Sequence, residues 1–202
     1  MVKCLLPVYL QIRLFDINVS CYAGLCFYLG LIQNMTDVYQ NFLPKQHFSD
    51  LQRLFMTNIL PWHYSDRVVS TQRHFMFGHT FMEDGQIVNP TYFEPVRGML
   101  LQLQQKVKFI GVSRIRAVMY TNQGKEIKHP THVDIPLDSG VSDKFRIAVF
   151  HVNTCNGKTV IGDKEIESQQ NQLILFKNVP HYGTVQTDTD TRVVINFSLR
   201  IE

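Results

Sequence analysis

The sequence has few cysteines and no pattern that would pair them. Three of the four, Cys4, Cys21 and Cys26, lie in the first segment, Cys155 stands alone downstream, and no CxxC spacing occurs. Small secreted domains that depend on disulfides carry a much denser framework. The pattern argues against a disulfide scaffold and favours a reducing compartment, so we expect the protein in the cytoplasm.

Runs of like charge are also missing. The formal net charge is +3, and the lysines and arginines are scattered along the chain. A nucleic-acid-binding arm would concentrate basic residues in one stretch or on one face. Charge therefore says little about partners, although without such an arm nucleic acid is not the partner that we expect.

A long apolar run that would clearly cross a membrane is absent as well. The stretch 17–33 carries no charge, but Asn18 and Ser20 dilute it, and a spanning helix needs about 20 apolar residues. No small-residue cleavage site follows it, whereas Met35 reads like a natural start. Three alternatives remain open for residues 1–34: an upstream translation or disordered extension, a membrane or targeting role, and packing onto the fold. We place the domain at 35–202 and do not expect a membrane partner.

The rest of the chain is typical of one globular domain. It has 202 residues, of which 45% are hydrophobic, enough for a single core. Apolar residues at spacings of three and four predict a helix from Pro44 to about Asn58. The same period predicts a second helix from Tyr92 to Val107, with Pro95 in its first turn.

Beyond Lys108 the apolar period changes to two, which predicts strands. Eight short runs follow one another with turn residues between them: Ser113–Thr121, Thr131–Ile135, Phe145–Val152, Lys158–Ile161, Lys164–Glu167, Gln172–Phe176, Tyr182–Gln186 and Arg192–Leu199. Eight strands with almost no helix between them predict a jelly roll. The fold class is therefore mainly β, with the N-terminal helices packed on one sheet (α+β).

The last predicted strand indicates how such a barrel would be organised. One parity is apolar (Val193, Ile195, Phe197, Leu199), and the other is mixed (Arg192, Val194, Asn196, Ser198). We expect the apolar parity to face the helices and the mixed parity to line the interior. Arg192 then points inward and needs an anionic partner, which a carboxylate ligand would provide.

Three residues have the spacing of a metal site. His132 and Asp134 are two positions apart, so in a strand both side chains lie on one face. His181 can supply a third ligand if the intervening strands return the chain to the same place. Two histidines and one carboxylate form the ligand set of non-haem Fe(II) oxygenases.

These residues also carry a resemblance to a known family. His132-Val133-Asp134, then His181, then Arg192 eleven positions later resembles the Fe(II)/2-oxoglutarate-dependent dioxygenases. Within that family, the segment 132–199 is similar to the prolyl-4-hydroxylase-like branch and to small oxygenases of marine phages. Supporting segments are Asn153–Thr159, Asn171–Phe176 and His181–Gly183, and Tyr39–Tyr64 also looks like the start of the phage proteins.

The resemblance implies roles for individual residues. His132, Asp134 and His181 would hold Fe(II), which 2-oxoglutarate would chelate through its 1-carboxylate and 2-keto oxygens, and Arg192 would bind the distal 5-carboxylate. Relatives often add an aromatic hydroxyl late in the third strand. Here that place holds Phe150-His151, so His151 and Tyr120 both remain candidates for binding the 5-carboxylate together with Arg192. For Asn196 two alternatives stay open, a hydrogen bond within the site and a contact inside the sheet. The resemblance further implies a double-stranded β-helix, the cupin-like form of the jelly roll, with O2 as co-substrate and ascorbate as a stimulant.

The implied reaction is hydroxylation of a C–H bond with release of succinate and CO2. Asp134 leaves no ligand position vacant for chloride, which disfavours the related halogenases. The leading substrate hypothesis is a prolyl or similar peptide side chain, followed by a small metabolite. A nucleic-acid demethylase ranks behind these because Arg192 and Arg200 are eight residues apart, where that group has two arginines six apart. The last alternative is a non-catalytic cupin-like binding module. If a phage encodes the chain, we expect it in the host cytoplasm.

Overall fold

A computed structural model describes residues 36–68 and 74–201. The expectations about residues 1–34 therefore fall outside the described part of the chain. The two helices are α1 (Lys45–Met56) and α2 (Phe93–Gln104), with a 3-10 turn at Pro90–Tyr92 before α2. Both confirm the predicted helices. Across the two described ranges, no helix has the length and apolar character needed to span a membrane.

Strands make up most of the described chain. Their bounds are β1 Thr36–Tyr39, β2 His63–Ser65, β3 Met76–Glu83, β4 Gln86–Ile87, β5 Gly111–Thr121, β6 Phe145–His151, β7 Cys155–Ile161, β8 Lys164–Ser168, β9 Gln172–Lys177, β10 His181–Gly183 and β11 Thr191–Arg200. The larger sheet has the order β1-β9-β6-β11-β5-β3-β2, with β4 beside β3, and the smaller one has the order β10-β7-β8. Every named pairing is antiparallel.

Two apolar clusters lie on the two faces of the larger sheet. One joins Phe197 of β11 and its apolar-parity neighbours to both helices, through residues such as Leu51 and Met99. The other joins Val194 of β11 to Ile161 and Ile166 of the smaller sheet, so the two sheets share an interior. The jelly roll with helices on one sheet is thus confirmed, and so is the predicted division of β11 into two faces.

The predicted strand Thr131–Ile135 was wrong. Its backbone pairs with the rest of the fold through one isolated bridge, in which His132 and His181 exchange two N–H···O=C bonds of 2.9 Å. Beyond that bridge, the side-chain oxygen of Asn178 accepts the N–H groups of Asp134 and Ile135, so no ladder continues. Side-chain capture of backbone donors replaces strand pairing here.

Two further differences concern strand length and number. β10 is three residues long where Tyr182–Gln186 was predicted, and four strands lie upstream of residue 90 where none was predicted. β1, β2 and β4 are too short to establish a period of two. β3 contains Gly78 and His79, which interrupt its apolar alternation.

Candidate metal centre

The three residues with metal-ligand spacing converge in the structure. His132, Asp134 and His181 each place one ligand atom so that all three lie within 4.8 Å of one another. The Nε2 atom of His181 is 3.8 Å from Oδ2 of Asp134, and the two imidazole centroids are 4.6 Å apart. Burial of His181 lowers its pKa, so the ring favours the neutral form that coordinates a metal. The bridge between His132 and His181 sets this convergence, since it holds the two backbones side by side.

Hydrogen bonds assign the proton on both histidines. Nδ1 of His132 lies 3.1 Å from the carbonyl oxygen of Pro130, and Nδ1 of His181 lies 2.9 Å from that of Val179. A carbonyl oxygen can only accept, so each Nδ1 carries the hydrogen and each Nε2 keeps its lone pair. Such a backbone acceptor is the usual partner of a metal-bound histidine, because it fixes the ring orientation and the tautomer.

Asp134 is oriented from two sides. Nη2 of Arg114 donates to its Oδ1 at 2.6 Å, while its Oδ2 points toward His181. The Asn178 side chain accepts from the Asp134 backbone N–H and donates to the carbonyl oxygen of Ile135 (2.7 Å) and to Ser142 (2.8 Å). One carboxylate oxygen is therefore occupied by an arginine, and the other is available to a cation.

Arg192 is a buried cation without a buried anion. It is 1% exposed, and its donors reach Oγ of Ser168 (3.3 Å), the carbonyl oxygen of Thr184 (3.2 Å) and Oγ1 of Thr159 (2.9 Å). All three acceptors are neutral, and no carboxylate of residues 36–68 and 74–201 pairs with it. Burial lowers the pKa of this guanidinium, which nevertheless stays protonated because arginine titrates far above neutral pH. Such a charge calls for an anionic ligand.

Two glycines make room for Arg192. A Cβ atom at Gly157 would lie 2.6 Å from Cδ of Arg192, and one at Gly183 would lie 3.2 Å from its Nη1. The chain therefore passes the arginine too closely to carry a side chain at Gly157. Close approach of another part of the chain is a usual reason for a glycine within a strand.

Tyr120 and His151 both lie near Arg192, but differently. Tyr120 is the cross-strand partner of Arg192 and faces the cavity, with its ring centroid 5.9 Å from the guanidinium carbon. Burial raises the pKa of Tyr120, so its phenol remains a hydrogen-bond donor. Nε2 of His151 lies 3.2 Å from the hydroxyl of Thr159 and 3.5 Å from Nη2 of Arg192, which donates to it. Nδ1 of His151 donates to the side-chain oxygen of Gln172 at 2.6 Å. Burial and the nearby Arg192 lower the pKa of His151 to about 3, so it is neutral.

His129 is buried against Tyr120. It lies outside the named strands and does not belong to the three clustered ligand candidates. It is only 2% exposed, however, its ring centroid is 4.6 Å from that of Tyr120, and neither ring nitrogen has a hydrogen-bond partner in the described part of the chain. Burial, reinforced by Arg192, lowers its pKa to about 3.

One cavity of about 340 Å³ is lined by the three metal-ligand candidates and by Arg192 and Tyr120, whereas His129 and His151 are not part of its lining. Its lining also includes Asn196 and three residues that the sequence reading missed: Thr159, Arg114 and Arg116. The sequence could have indicated the two arginines, because they are at even positions of β5 like Tyr120 and so point to the same face of the sheet. Thr159 has the parity of Ile161 on β7, whose side chain is buried in the interior.

The donor set fits a divalent iron and a dicarboxylate. Two imidazoles and one carboxylate on one side leave other coordination positions open, which is the arrangement of mononuclear Fe(II) oxygenases. Arg192 and Tyr120 supply a cation and a hydroxyl at another part of the same cavity. These residues would hold the iron and the far carboxylate of 2-oxoglutarate, respectively.

Comparison with solved structures finds the same fold. A 2OG-Fe(II) oxygenase family oxidoreductase from Burkholderia pseudomallei is similar over 92% of this chain and 93% of its own, with a TM-score of 0.63 at 11% identity. A Trichoplax adhaerens prolyl hydroxylase, solved with a peptide of hypoxia inducible factor, is similar over 90% and 94%, with a TM-score of 0.56 at 12% identity. The viral collagen prolyl hydroxylase of Paramecium Bursaria Chlorella virus-1, solved with 2OG, is similar over 83% and 97%, with a TM-score of 0.55 at 10% identity.

Sequence comparison adds no relative, since neither a family model nor a curated protein matches the chain. At 10–12% identity, the structural neighbours establish the fold, which is that of the 2OG-Fe(II) oxygenases, including prolyl hydroxylases.

Proposed function

We propose that this chain is an Fe(II)- and 2-oxoglutarate-dependent dioxygenase that hydroxylates a C–H bond with release of succinate and CO2. One observation carries the proposal. A single cavity contains three converging metal-ligand atoms and a buried guanidinium that lacks an acidic partner in the described part of the chain. A binding module of the cupin type would have no use for both features together.

The chain's own groups divide the work. When bound, iron with 2-oxoglutarate and O2 would supply the oxidising chemistry. His132 and His181 present Nε2 because their Nδ1–H groups are engaged, and Asp134 presents one oxygen because Arg114 holds the other. Arg192 would anchor the 5-carboxylate as a charge-assisted pair, with the Tyr120 phenol as a further donor. Val118 and Val194 line the cavity with apolar surface, which helps to exclude water.

The proposed substrate is a prolyl or other peptide side chain, with a small metabolite as the second candidate. Support for the first is that neighbours with this fold include prolyl hydroxylases, one of them solved with a peptide. Support for the second is a Streptomyces hygroscopicus neighbour, solved with nickel, 2-oxoglutarate and hygromycin B.

The decisive assay measures succinate. Protein loaded anaerobically with Fe(II) and 2-oxoglutarate is exposed to O2, with His132→Ala as the control that lacks one ligand. We expect wild-type protein to form succinate and the variant to form little. If succinate does not exceed the His132→Ala level, even with prolyl peptides and small metabolites present, the proposal fails. A mass gain of one oxygen on the substrate would identify hydroxylation, and loss of a methyl group from an oligonucleotide would instead identify a demethylase.

A further inference from the structure

The cavity contains a second arginine that the proposed function does not use. Arg116 lies on β5 and points into the cavity, as do Arg114 and Tyr120 two positions before it and four after. Its guanidinium lies against Gly78 of β3, where an added Cβ would be 3.0 Å from Nη2 and 3.1 Å from Nε. Arg116 is therefore held between two strands and is not a free surface side chain.

Arg116 makes no hydrogen bond or ion pair within residues 36–68 and 74–201, and its Nε atom is buried. Arg114, its neighbour on the same face, is already paired with Asp134. Burial and the charge of Arg114 lower the pKa of Arg116; Tyr120 and Glu83 raise it, but Glu83 lies beyond ion-pair distance. The sequence of residues 69–73, Val-Ser-Thr-Gln-Arg, contains no acidic residue that could pair with it.

A second polar group without a partner lies opposite Arg116. Asn196 of β11 is its cross-strand partner and also lines the cavity. The Asn196 side-chain amide makes no hydrogen bond in the described part of the chain. A guanidinium and an amide that face one space, both with free donors, form a recognition site for an oxyanion.

The position of this pair separates it from the 2-oxoglutarate anchor. Asn196 is four residues from Arg192 on one strand, which corresponds to ~13 Å along β11. The ligand that Arg192 holds must also reach the metal, so it extends between those two points. In the register of β5 and β11, the pair of Arg116 and Asn196 lies between Arg114, which binds Asp134, and the pair of Arg192 and Tyr120. The pair of Arg116 and Asn196 therefore faces the metal end of the cavity and not the 5-carboxylate anchor.

We propose that Arg116 and Asn196 bind a carboxylate of the substrate, so that the enzyme oxidises an acid. The proposal rests on the proposed function and names the substrate class of that site. One unpaired guanidinium matches the single charge of a carboxylate better than the double charge of a phosphate monoester. The volume of about 340 Å³, shared with 2-oxoglutarate, favours a small acid or one acidic residue of a peptide.

The test uses three sets of N-acetylated amino acids. The first set has a free α-carboxylate. The second set contains the methylamides of N-acetylaspartate and N-acetylglutamate, which carry only a side-chain carboxylate, as in a peptide. The third set contains neutral N-acetyl amino acid methylamides, including that of proline. Binding is measured by calorimetry with and without Fe(II) and 2-oxoglutarate under anaerobic conditions, and turnover is measured as succinate formed above the level without probe.

We expect binding and stimulated turnover only in the first or second set, and whichever set responds identifies a free acid or an acidic residue. Arg116→Gln should weaken binding of the responding probe about tenfold or more. Arg116→Lys keeps the charge but loses the planar guanidinium, so its affinity for the probe should lie between those of the wild-type protein and Arg116→Gln. Arg200→Gln is the matched control, since Arg200 is exposed at the end of β11.

Several results would overturn the inference. These are equal binding of the neutral set, absence of binding by both carboxylate sets, and Arg116 variants that bind like Arg200→Gln. Loss of folding in Arg116→Gln would show as a lowered melting temperature. In that case the probe affinity of Arg116→Lys is compared with that of Arg200→Gln. Failure of the proposed function would give a different result, because wild-type protein would then form no succinate. Binding of the carboxylate probes in the absence of Fe(II) would still test the carboxylate site.

Discussion

At the scale of single residues, the site depends on which polar groups are satisfied and which are not. His132 and His181 are satisfied at Nδ1 and free at Nε2, and Asp134 is satisfied at one oxygen only. Within residues 36–68 and 74–201, Arg192 reaches neutral acceptors but no carboxylate. A buried polar group left without a strong partner costs free energy, so each of these gaps indicates a ligand.

Arg192→Ala tests the anchor at this scale. Because the guanidinium would pair with the 5-carboxylate, the substitution should weaken 2-oxoglutarate binding by about 2 kcal/mol or more, roughly 30-fold. Iron affinity should change much less, since no metal-ligand candidate contacts Arg192. The measurements are KM for 2-oxoglutarate and an Fe(II) titration, with Arg200→Ala as the control on the same strand. Equal losses of both affinities would indicate a role in folding instead.

At the scale of elements, the metal-ligand segment is held by side chains more than by strand pairing. The stretch around His132 makes one backbone bridge, and Asn178 then takes over the hydrogen bonding of Asp134 and Ile135. β5 and β11 are long and regular, and they position Tyr120, Arg192 and Arg116 through their register. The sequence could predict these strands because their apolar period is unbroken.

Asn178→Ala tests the support of this segment. Loss of the amide would leave the backbone around Asp134 without its partners, and metal affinity should fall about 10–100-fold, the usual effect of removing a group that orients a ligand. Fe(II) titration measures it. Asn122→Ala is the matched control, because that amide also bonds to backbone groups, but in an exposed turn. Unchanged metal affinity in Asn178→Ala would contradict the role given to this side chain.

At the scale of the whole molecule, one sheet separates two environments. Its outer face packs on the helices, and its inner face lines a cavity that contains the buried Arg192. The buried histidines His129 and His151 contact two residues of this cavity, Tyr120 and Arg192. His129 and His151 have pKa values of about 3, well below the ordinary value near 6.5. The fold therefore keeps these imidazoles neutral, mainly by burial.

Stability should consequently fall in acid. Below pH 6.5 the unfolded chain binds protons at these histidines while the native state does not until about pH 3, so the free energy of unfolding decreases as pH falls across this window. The slope should approach about 1.4 kcal/mol per pH unit for each histidine. Denaturant unfolding of metal-free protein at pH 7.5, 6.5 and 5.5 measures it. His151→Gln should show a shallower slope than the exposed control His63→Gln, and identical slopes would refute the assignment.

Several features of this protein could be read from the sequence alone. The two helices, the strand-rich second half and the faces of β11 follow from apolar periods, and these depend only on neighbouring residues. The spacing of His132, Asp134, His181 and Arg192 predicted the candidate ligand set, and the structure places the first three together. The roles of these residues stay a prediction that the assays above address.

Tertiary structure decided what depends on residues far apart in the chain. The pairing of Arg114 with Asp134 joins residues 20 positions apart, and Asn178 reaches Asp134 across 44. No local pattern could show that Arg114 is neutralised while Arg116 is not, because both share one face of one strand. Only the packing of β3, β5 and β11 around a common cavity leaves Arg116 and Asn196 with free donors. That difference, set by contacts and not by sequence period, carries the inference about the substrate.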